Sequence, residues 1–198
     1  MRRSSAPEAP RLAGGLRGLA ALGLCLALVA GRCAALQLRG ADATYADGVF
    51  RVTLEAVLDA SPSGIESVLT DFRRYRSLDP RIESARLIAR EADGSVLVRT
   101  RIHACAGIFC RHVERVERVE RRPGQLVATV VPGDSDMRRG VARTFWRPQG
   151  KGTLVVYEAE FEPDFWVPKF VGQGLATRAL RESTLQMFRN VEREAHAR

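Results

Sequence analysis

The last third of the chain carries the clearest repeat of apolar positions, at intervals of three and four residues. One side of this repeat is apolar or small and the other is charged or polar, which is typical of a long amphipathic helix. We expect this helix to begin at Pro168, because a proline in the first turn lacks an N–H that would have no partner there. The repeat consists of Phe170, Gly174, Thr177, Leu180, Thr184, Met187, Phe188, Val191 and Ala195.

The first half of this helix face is small and the second half is bulky. Gly174 and Thr177 would leave space beneath the helix, whereas Met187 and Phe188 would fill it. A helix of roughly 30 residues spans about 45 Å and needs a surface to lie on. Space beneath its N-terminal half is therefore where a ligand could bind. The alternative is that Gly172 and Gly174 only permit close packing or a kink.

Upstream of this helix, apolar and polar residues alternate with a period of two, which predicts β-strands. A first strand is predicted over residues 49–58. Pro62 then begins a short helix with Ser61 as its N-cap, although Ser63 with Glu66 forms an alternative capping box. Six further strands are predicted at residues 82–91, 96–104, 111–120, 125–131, 137–147 and 152–161.

The stretch 111–120 is the most ambiguous of these strands, because its valines recur at every third residue as they would in a helix. We predict a strand, since turns flank it and clear strands lie on both sides. The element order is then a strand, two short helices, about six strands and a long helix. This order predicts an α+β fold in which a curved antiparallel sheet of about seven strands wraps around the C-terminal helix.

Residues 1–35 have the three-part layout of a secretory signal peptide. Several arginines precede an apolar run over residues 19–30, and Cys33 and Ala35 stand at positions −3 and −1 of a cleavage site. The run is shorter than the ~20 residues that span a bilayer. We therefore expect export to the periplasm or the medium, with an uncleaved membrane anchor facing the periplasm as the alternative.

The rest of the chain is predicted to contain a polar linker over residues 36–47 and one domain over residues 48–198. The net charge of +8 overstates how basic this part is. Residues 36–198 carry 26 basic and 22 acidic side chains. No basic run is interleaved with aromatic residues, so nucleic-acid binding is not expected.

Cleavage after Ala35 would leave two cysteines, Cys105 and Cys110, on either side of a short hairpin loop. Facing strand residues lie within disulfide range, and an isolated pair in an oxidising compartment is typically a disulfide. We predict this bridge. His103 and His112 flank the loop and could approach each other, but surface histidines are the favoured interpretation. No metal site is predicted, because the two cysteines and the scattered histidines form no ligand cluster in the sequence.

Five short segments carry a family resemblance: Leu69–Tyr75, Leu78–Pro80, Ser135–Gly140, Gly152–Thr153 and Pro163–Pro168. With the element order, they make the chain resemble an exported bacterial subgroup of the START-like superfamily, the helix-grip fold shared by polyketide cyclases and coenzyme-Q-binding START proteins. The resemblance implies a cavity between sheet and long helix, open near the helix N-terminus and the short-helix corner. It implies a lipid, quinone, sterol or polyketide ligand, and it carries over no catalytic residue and no cofactor.

Ligand pockets are mainly apolar and aromatic with a few polar groups. We expect aromatic residues at the passage from sheet to helix to line or cap the cavity, although core packing explains Trp146 equally well. An exposed Phe165-Trp166 pair could also anchor the protein at a membrane interface. The arginines could contact an acidic head group at the rim or form a solvated face. The predicted ligand-binding residues are Phe165, Trp166, Phe170, Gly174, Thr177, Trp146, Arg138 and Arg143.

No catalytic set with specific spacing is present: the sequence contains no phosphate-binding glycine loop and no nucleophile elbow. We therefore expect an exported, non-enzymatic binding protein or carrier for an apolar or amphipathic small molecule, with transient membrane contact as an option. One alternative is an enzyme of the cyclase or dehydratase type that uses the same cavity. Another is a protein-interaction module with a filled core.

Overall fold

The computed structural model describes residues 36–197, so the predicted signal peptide lies outside the described residues. One antiparallel sheet of eight strands dominates, in the order β1-β2-β8-β7-β6-β5-β4-β3. Together with its C-terminal helix it forms the predicted helix-grip arrangement. The strands are β1 (Gln37–Ala46), β2 (Val49–Leu58), β3 (Ile82–Arg90), β4 (Val96–Ala106), β5 (Phe109–Arg122), β6 (Gln125–Val130), β7 (Met137–Gln149) and β8 (Gly152–Pro163).

Residues 36–47 differ from the sequence prediction. Instead of a linker, most of them form the edge strand β1, which pairs with β2 along almost its whole length. The alanines, glycine and polar residues of this segment give little strand signal, because an edge strand is held mainly by backbone hydrogen bonds. Tyr45 anchors it, with its ring centroid 4.5 Å from that of Phe50. The sheet therefore has one strand more than the seven expected.

Two short helical segments connect β2 to β3, as predicted. They are α1 (Pro62–Leu69) and α2 (Tyr75–Leu78), with a 3-10 turn at Phe72–Arg74 between them. The hydroxyl of Ser61 accepts a hydrogen bond from the backbone N–H of Gly64 at 3.0 Å. Ser61 is therefore the N-cap of α1, and the first of the two capping alternatives is confirmed.

The C-terminal helix begins just after Pro168 and is not uniform. A π-helical turn at Val171–Ala176 precedes the α-helix α3 (Thr177–His196). The bulky end of the predicted helix face is confirmed, because Phe188 and Val191 are fully buried. The wide π-helical turn replaces the first regular turns of the helix that the periodicity predicted.

The two glycines of this helix have different roles. A β-carbon on Gly172 would lie 2.3 Å from the Tyr45 ring, so this glycine permits close packing of the π-helical turn against β1. A β-carbon on Gly174 would meet no atom within 4 Å. Of the two explanations left open by the sequence, close packing therefore applies to Gly172 alone.

The ambiguous segment 111–120 is a strand, as predicted, and lies within β5. Val119 belongs to the main apolar core, and Val113 belongs to a smaller buried cluster. The Val116 side chain points to the opposite face of the sheet. Its backbone N–H donates to the Ser135 hydroxyl at 2.8 Å. The three-residue repeat of valines therefore alternates between the two faces of the sheet and does not indicate a helix.

The main core fills the space between the sheet and helices α1 and α3. Its fully buried side chains come from β2, α1, β4, β8 and α3, which shows that all these elements share one apolar interior. Within residues 36–197, no helix is both long and apolar enough to cross a bilayer. The principal members of the core are Leu54, Leu58, Ile65, Val68, Val98, Val155, Phe188 and Val191.

Candidate ligand-binding site

One cavity lies in the corner between the short helices and strands β3 to β6. It has a volume of about 740 Å³, within the usual range for small-molecule sites. Arg73, Arg90 and Arg121 line this cavity together with Asp71, and Arg73 pairs with Asp71 while Arg121 pairs with Glu66. Its apolar wall consists of Phe72, Leu87, Val96, Val119 and Leu126.

A second cavity of about 440 Å³ lies along α3, beside the end of β4. Arg81 and Cys105 line one part of it, and Glu182, Gln186 and Arg189 on α3 line another. Polar and charged side chains therefore form most of the lining of this second cavity, whereas the corner cavity also has an apolar wall. The second cavity lies against the exposed side of α3 and not beneath the N-terminal half of the helix, where the sequence predicted space. The corner cavity lies at the short-helix corner, where the family resemblance implied an opening.

An arginine and a glutamate on β5 point into the interior between sheet and helix. Arg115 is in register with Thr100, and Glu117 is in register with the core residue Val98. Arg115 Nε lies 3.0 Å from Glu117 Oε2, and the two side chains are 28% and 9% exposed. Glu117 is two residues from the cavity-lining Val119 on the same face of the strand. An ion pair therefore lies next to the wall of the corner cavity.

The electrostatics of this pair are those of a desolvated site. Burial works against the Arg115 charge, but the neighbouring Glu117 carboxylate outweighs it and raises the pKa of the guanidinium. Although Arg115 Nε is close to Glu117, it has no aligned hydrogen-bond acceptor among the described residues. A buried donor in this state favours an additional polar partner, because an unsatisfied buried group costs about 1–3 kcal/mol.

Two tyrosines surround the Arg115–Glu117 pair. Burial raises the pKa of Tyr75, and the negative charge of Glu117 raises it further. Burial likewise raises the pKa of Tyr157, against the opposing effect of Arg115. Both phenols therefore stay protonated well above neutral pH. The Tyr75 hydroxyl donates to the Leu69 carbonyl at 2.7 Å.

These side chains connect the residues of the two cavities. The Tyr75 ring packs edge-on against Phe72 of the corner cavity, with a centroid distance of 5.4 Å. Burial raises the pKa of Tyr157, and the positive charge of Arg81 of the second cavity partly opposes that rise. The Tyr157 ring lies 5.5 Å from the Phe188 ring of α3. The polar group formed by Tyr75, Arg115, Glu117 and Tyr157 is called the interior polar cluster below.

The aromatic and small residues predicted to bind ligand are spread over several environments. Trp146 is 5% exposed and belongs to the main core. Thr177 is buried, and its hydroxyl donates to helix carbonyls. Phe165 is partly buried, and the Arg111 guanidinium carbon lies 3.6 Å from the centroid of the Phe165 ring. Trp166 and Phe170 are 84% and 67% exposed. None of them lines either described cavity.

The two predicted arginines lie on the surface and not in a cavity. Arg138 pairs with Glu162 at 3.0 Å and with Asp164 at 3.1 Å. Arg143 is exposed. Thr144 and Trp146 of the same strand are buried, so Arg143 lies on the outward face of β7. Of the interpretations considered from the sequence, the solvated face describes both arginines.

Sequence reasoning did not select any member of the interior polar cluster. The signal for two of them was present, because side chains alternate along a strand. Once Val113 and Val119 are placed inward, Arg115 and Glu117 must point inward as well. The repeated Glu-Arg-Val pattern allowed the opposite assignment too, so pairing with Val98 and Thr100 was needed to decide it.

The predicted disulfide is confirmed: Cys105 and Cys110 are bonded, with an S–S distance of 2.12 Å. Their neighbours His103 and His112 face each other in the next cross-strand pair, with ring centroids 4.9 Å apart. The reason given for expecting no metal site therefore fails. Far from being scattered, His103, Cys105 and Cys110 place their potential ligand atoms within 4.8 Å of one another.

Exposed apolar side chains gather at the tip of the β4–β5 hairpin and on the adjoining π-helical turn. Ile108 and Phe109 at the tip are 92% and 46% exposed, and Phe170 and Leu175 beside the turn are 67% and 43% exposed. The Phe109 and Phe170 rings pack edge-on at 6.2 Å. These four residues are called the tip patch below. Grouped exposed apolar residues of this kind typically mark a contact surface.

The eight-stranded sheet, its C-terminal helix and an interior cavity define a START-like helix-grip protein. Residues 49–195 match the family described as polyketide cyclase / dehydrase and lipid transport. The chain belongs to this family. A search of curated proteins finds no match.

Solved structures support the same fold. A START superfamily protein from Mycobacterium smegmatis is 20% identical, with a TM-score of 0.60 over 74% of this chain and 97% of that one. A STAR-related lipid transfer protein from Xanthomonas axonopodis is 16% identical, with a TM-score of 0.58 over 79% and 99%. The Zhui aromatase/cyclase from a Streptomyces species is 15% identical, with a TM-score of 0.58 over 76% and 95%.

Proposed function

We propose that this protein is an exported binding protein or carrier for an amphipathic small molecule. The apolar part of the ligand occupies the corner cavity of about 740 Å³, and its polar end reaches the Arg115–Glu117 pair. The observation that carries this proposal is the position of the pair, since a largely buried ion pair lies directly beside an apolar cavity wall. Buried ion pairs contribute little to stability. A role in ligand recognition would therefore explain why charged residues occupy these buried positions.

The ligand class follows from the walls of the cavity. The apolar lining suits a hydrocarbon chain or fused ring system, and the interior polar cluster suits a head group with oxygen acceptors. The family description includes both lipid transport and polyketide chemistry. Lipids, quinones and polyketide-like compounds all combine an apolar body with oxygen atoms at one end, and they form the proposed ligand class.

The tip patch supports a further part of the proposal, that the carrier meets a membrane surface to load or release its ligand. Ile108 and Phe170 are largely exposed, and Trp166 is 84% exposed in the segment before the helix. Aromatic side chains with one polar edge favour the boundary between lipid and water. Under this proposal Trp166 and Phe170 serve the membrane contact, and Phe165 supports them from beneath Arg111.

The proposed location is the periplasm or the medium, and it rests on the signal-like residues 1–35 and on the disulfide between Cys105 and Cys110. Disulfides persist in oxidising compartments. N-terminal sequencing of the protein recovered from the cell envelope tests this part. A start near Leu36 is expected, and soluble cytoplasmic protein that retains residues 1–35 would contradict it.

The binding proposal is tested with a fluorescent fatty acid and its uncharged methyl ester as probes. Val119→Phe places a ring in the corner cavity, so both probes should lose binding while the melting temperature is held. Val155→Phe is the matched control, because Val155 is fully buried but lines neither cavity. Overpacking of the core should lower the stability of this control variant by ~1–3 kcal/mol. Its probe binding should be unchanged. Unchanged probe binding by the Val119 variant would reject the proposed site.

The role of the charged pair is tested separately by replacing both charges, as Arg115→Met with Glu117→Leu. The fatty acid should bind this variant at least about tenfold more weakly, which corresponds to ~1.4 kcal/mol. The methyl ester should lose less affinity, because it makes no charge-assisted hydrogen bond. Equal losses for both probes would assign the pair a structural role.

A cyclase or dehydratase activity is the second candidate, and the tyrosines favour it specifically. Tyr157 stays protonated beside Glu117, so its hydroxyl could donate a hydrogen bond that polarises a ligand carbonyl. Incubation with a poly-β-ketone substrate, followed by mass spectrometry, should detect ring closure or loss of water. If Tyr157→Phe abolishes turnover but retains binding, the enzyme reading replaces the carrier.

A further inference from the structure

The end of the β4–β5 hairpin brings four potential metal ligands together in two successive cross-strand pairs. His103 pairs with His112, and Cys105 pairs with Cys110 two residues further along. Side chains two residues apart lie on the same face of a strand, so all four share one face. We propose that, when the disulfide is reduced, these four side chains bind one zinc ion in a Cys2His2 site.

The distances suit a tetrahedral ion. Zinc–sulfur and zinc–nitrogen bonds of about 2.0–2.3 Å place neighbouring ligand atoms roughly 3.3–3.8 Å apart. His103 Nε2 and Cys105 Sγ already lie 3.8 Å apart. The ligand atoms of His103, Cys105 and Cys110 all fall within 4.8 Å of one another. The two sulfur atoms must separate, which opening the disulfide allows. His112, whose ring stacks on that of His103 at 4.9 Å, must turn its Nε2 toward the same point.

His112 completes the set and has the outer partner that metal-binding histidines usually have. Its Nδ1 lies 3.2 Å from the Glu83 carboxylate, and a second bond of 3.0 Å from Arg101 holds that carboxylate in place. A histidine that donates from Nδ1 leaves the Nε2 lone pair free for a metal. Such carboxylate partners orient metal-binding histidines and raise their basicity.

The bridge and the metal site exclude each other. Reduction by a dithiol breaks the S–S bond and delivers two electrons and two protons, which gives two thiols while the dithiol becomes a disulfide. Zinc then binds the two thiolates, and two protons are released to solvent. Cys105 also borders the cavity of about 440 Å³ along α3, which provides an entry path. The hairpin end is thus a zinc site in its reduced form and a closed bridge in its oxidised form.

The experiment measures zinc binding by the full chain, with Cys25 and Cys33 replaced by serine so that Cys105 and Cys110 are its only cysteines. The protein is reduced with a dithiol, which is then removed under nitrogen. A chromophoric chelator competes for the zinc, and cobalt substitution reports tetrahedral thiolate coordination by its visible spectrum. We expect one equivalent of zinc per reduced chain and none per oxidised chain. His103→Ala and His112→Ala should each weaken binding at least about tenfold, and Glu83→Gln about 10–100-fold.

His196→Ala is the matched control, because it removes the third histidine of the chain, which lies on α3 beside Asp59. Its zinc affinity should equal that of the unmodified protein. Circular dichroism checks that each reduced variant is folded, and if reduction alone unfolds the protein, zinc should restore the fold. The proposal is overturned if a folded reduced chain binds no stoichiometric zinc, or if zinc does not refold a reduced chain that has unfolded. It is also overturned if the two histidine variants bind zinc as tightly as the unmodified protein.

Discussion

Removing one charge of the Arg115–Glu117 pair should destabilise the protein strongly. Glu117→Gln keeps the shape and volume of the side chain but leaves the Arg115 guanidinium without its counter-charge. Breaking a buried ion pair in this way typically costs about 3–5 kcal/mol. Because the Arg115 side chain is still 28% exposed, we expect the lower end of that range, about 3 kcal/mol.

Urea unfolding at neutral pH provides the measurement. With a denaturant slope of about 2 kcal/mol per molar urea, the transition midpoint should fall by roughly 1.5 M. Glu55→Gln is the matched control, because Glu55 pairs with Arg39 at 3.2 Å and both side chains are 45% exposed. Exposed pairs of this kind contribute less than about 1 kcal/mol.

Removing both charges separates electrostatics from packing. The double variant Arg115→Met with Glu117→Leu leaves no uncompensated charge, so its stability should match or exceed that of the parent protein. Two results would refute the reasoning. If Glu117→Gln costs no more than Glu55→Gln, the pair is not desolvated. If the double variant loses as much stability as the single one, the loss comes from packing and not from charge.

Three other perturbations have expected outcomes. Thr177→Trp should lower the melting temperature through overpacking by ~1–3 kcal/mol, because Thr177 is buried and lines neither cavity; a held melting temperature with lost probe binding would instead place the ligand there. Glu192→Gln should cost about 1–3 kcal/mol in urea unfolding, since its carboxylate accepts hydrogen bonds from two backbone amides. Stability should fall as pH rises above about 10, because unfolded tyrosines ionise there while burial keeps Tyr75 and Tyr157 protonated. Tyr157→Phe should flatten this decline in pH-dependent unfolding, and an unchanged slope would contradict it.

The long helix and most strands could be predicted from the sequence because their signals are local. Phe188 and Val191 recur at helical spacing and are buried where that spacing predicts. The edge strand β1 could not be predicted in this way, since its alanines and polar residues pair with β2 mainly through backbone groups. Residues 37–46 form a strand because β2 offers a free edge with which they can pair, and this edge is not visible in the local sequence of β1.

The position of the candidate binding site was harder to predict for a related reason. The small residues Gly174 and Thr177 predicted space beneath the helix, but the π-helical turn and the close approach of Gly172 to β1 change the packing there. The corner cavity arises instead where α1 and the 3-10 turn stand away from β3 to β6. That separation follows from how distant elements pack, and no local pattern encodes it.

The unaligned donor of Arg115 links stability to ligand binding. Arg115 Nε approaches Glu117 but has no aligned acceptor among the described residues. A ligand oxygen placed there would satisfy the donor, and the ligand would gain a charge-assisted hydrogen bond in a site of low polarity. An apolar ligand would gain only the area that it buries. A ligand that binds only the folded state stabilises it by about 2.7 kcal/mol at a hundredfold excess over Kd. A polar ligand end at the interior polar cluster would therefore increase both the selectivity of binding and the stability of the folded protein.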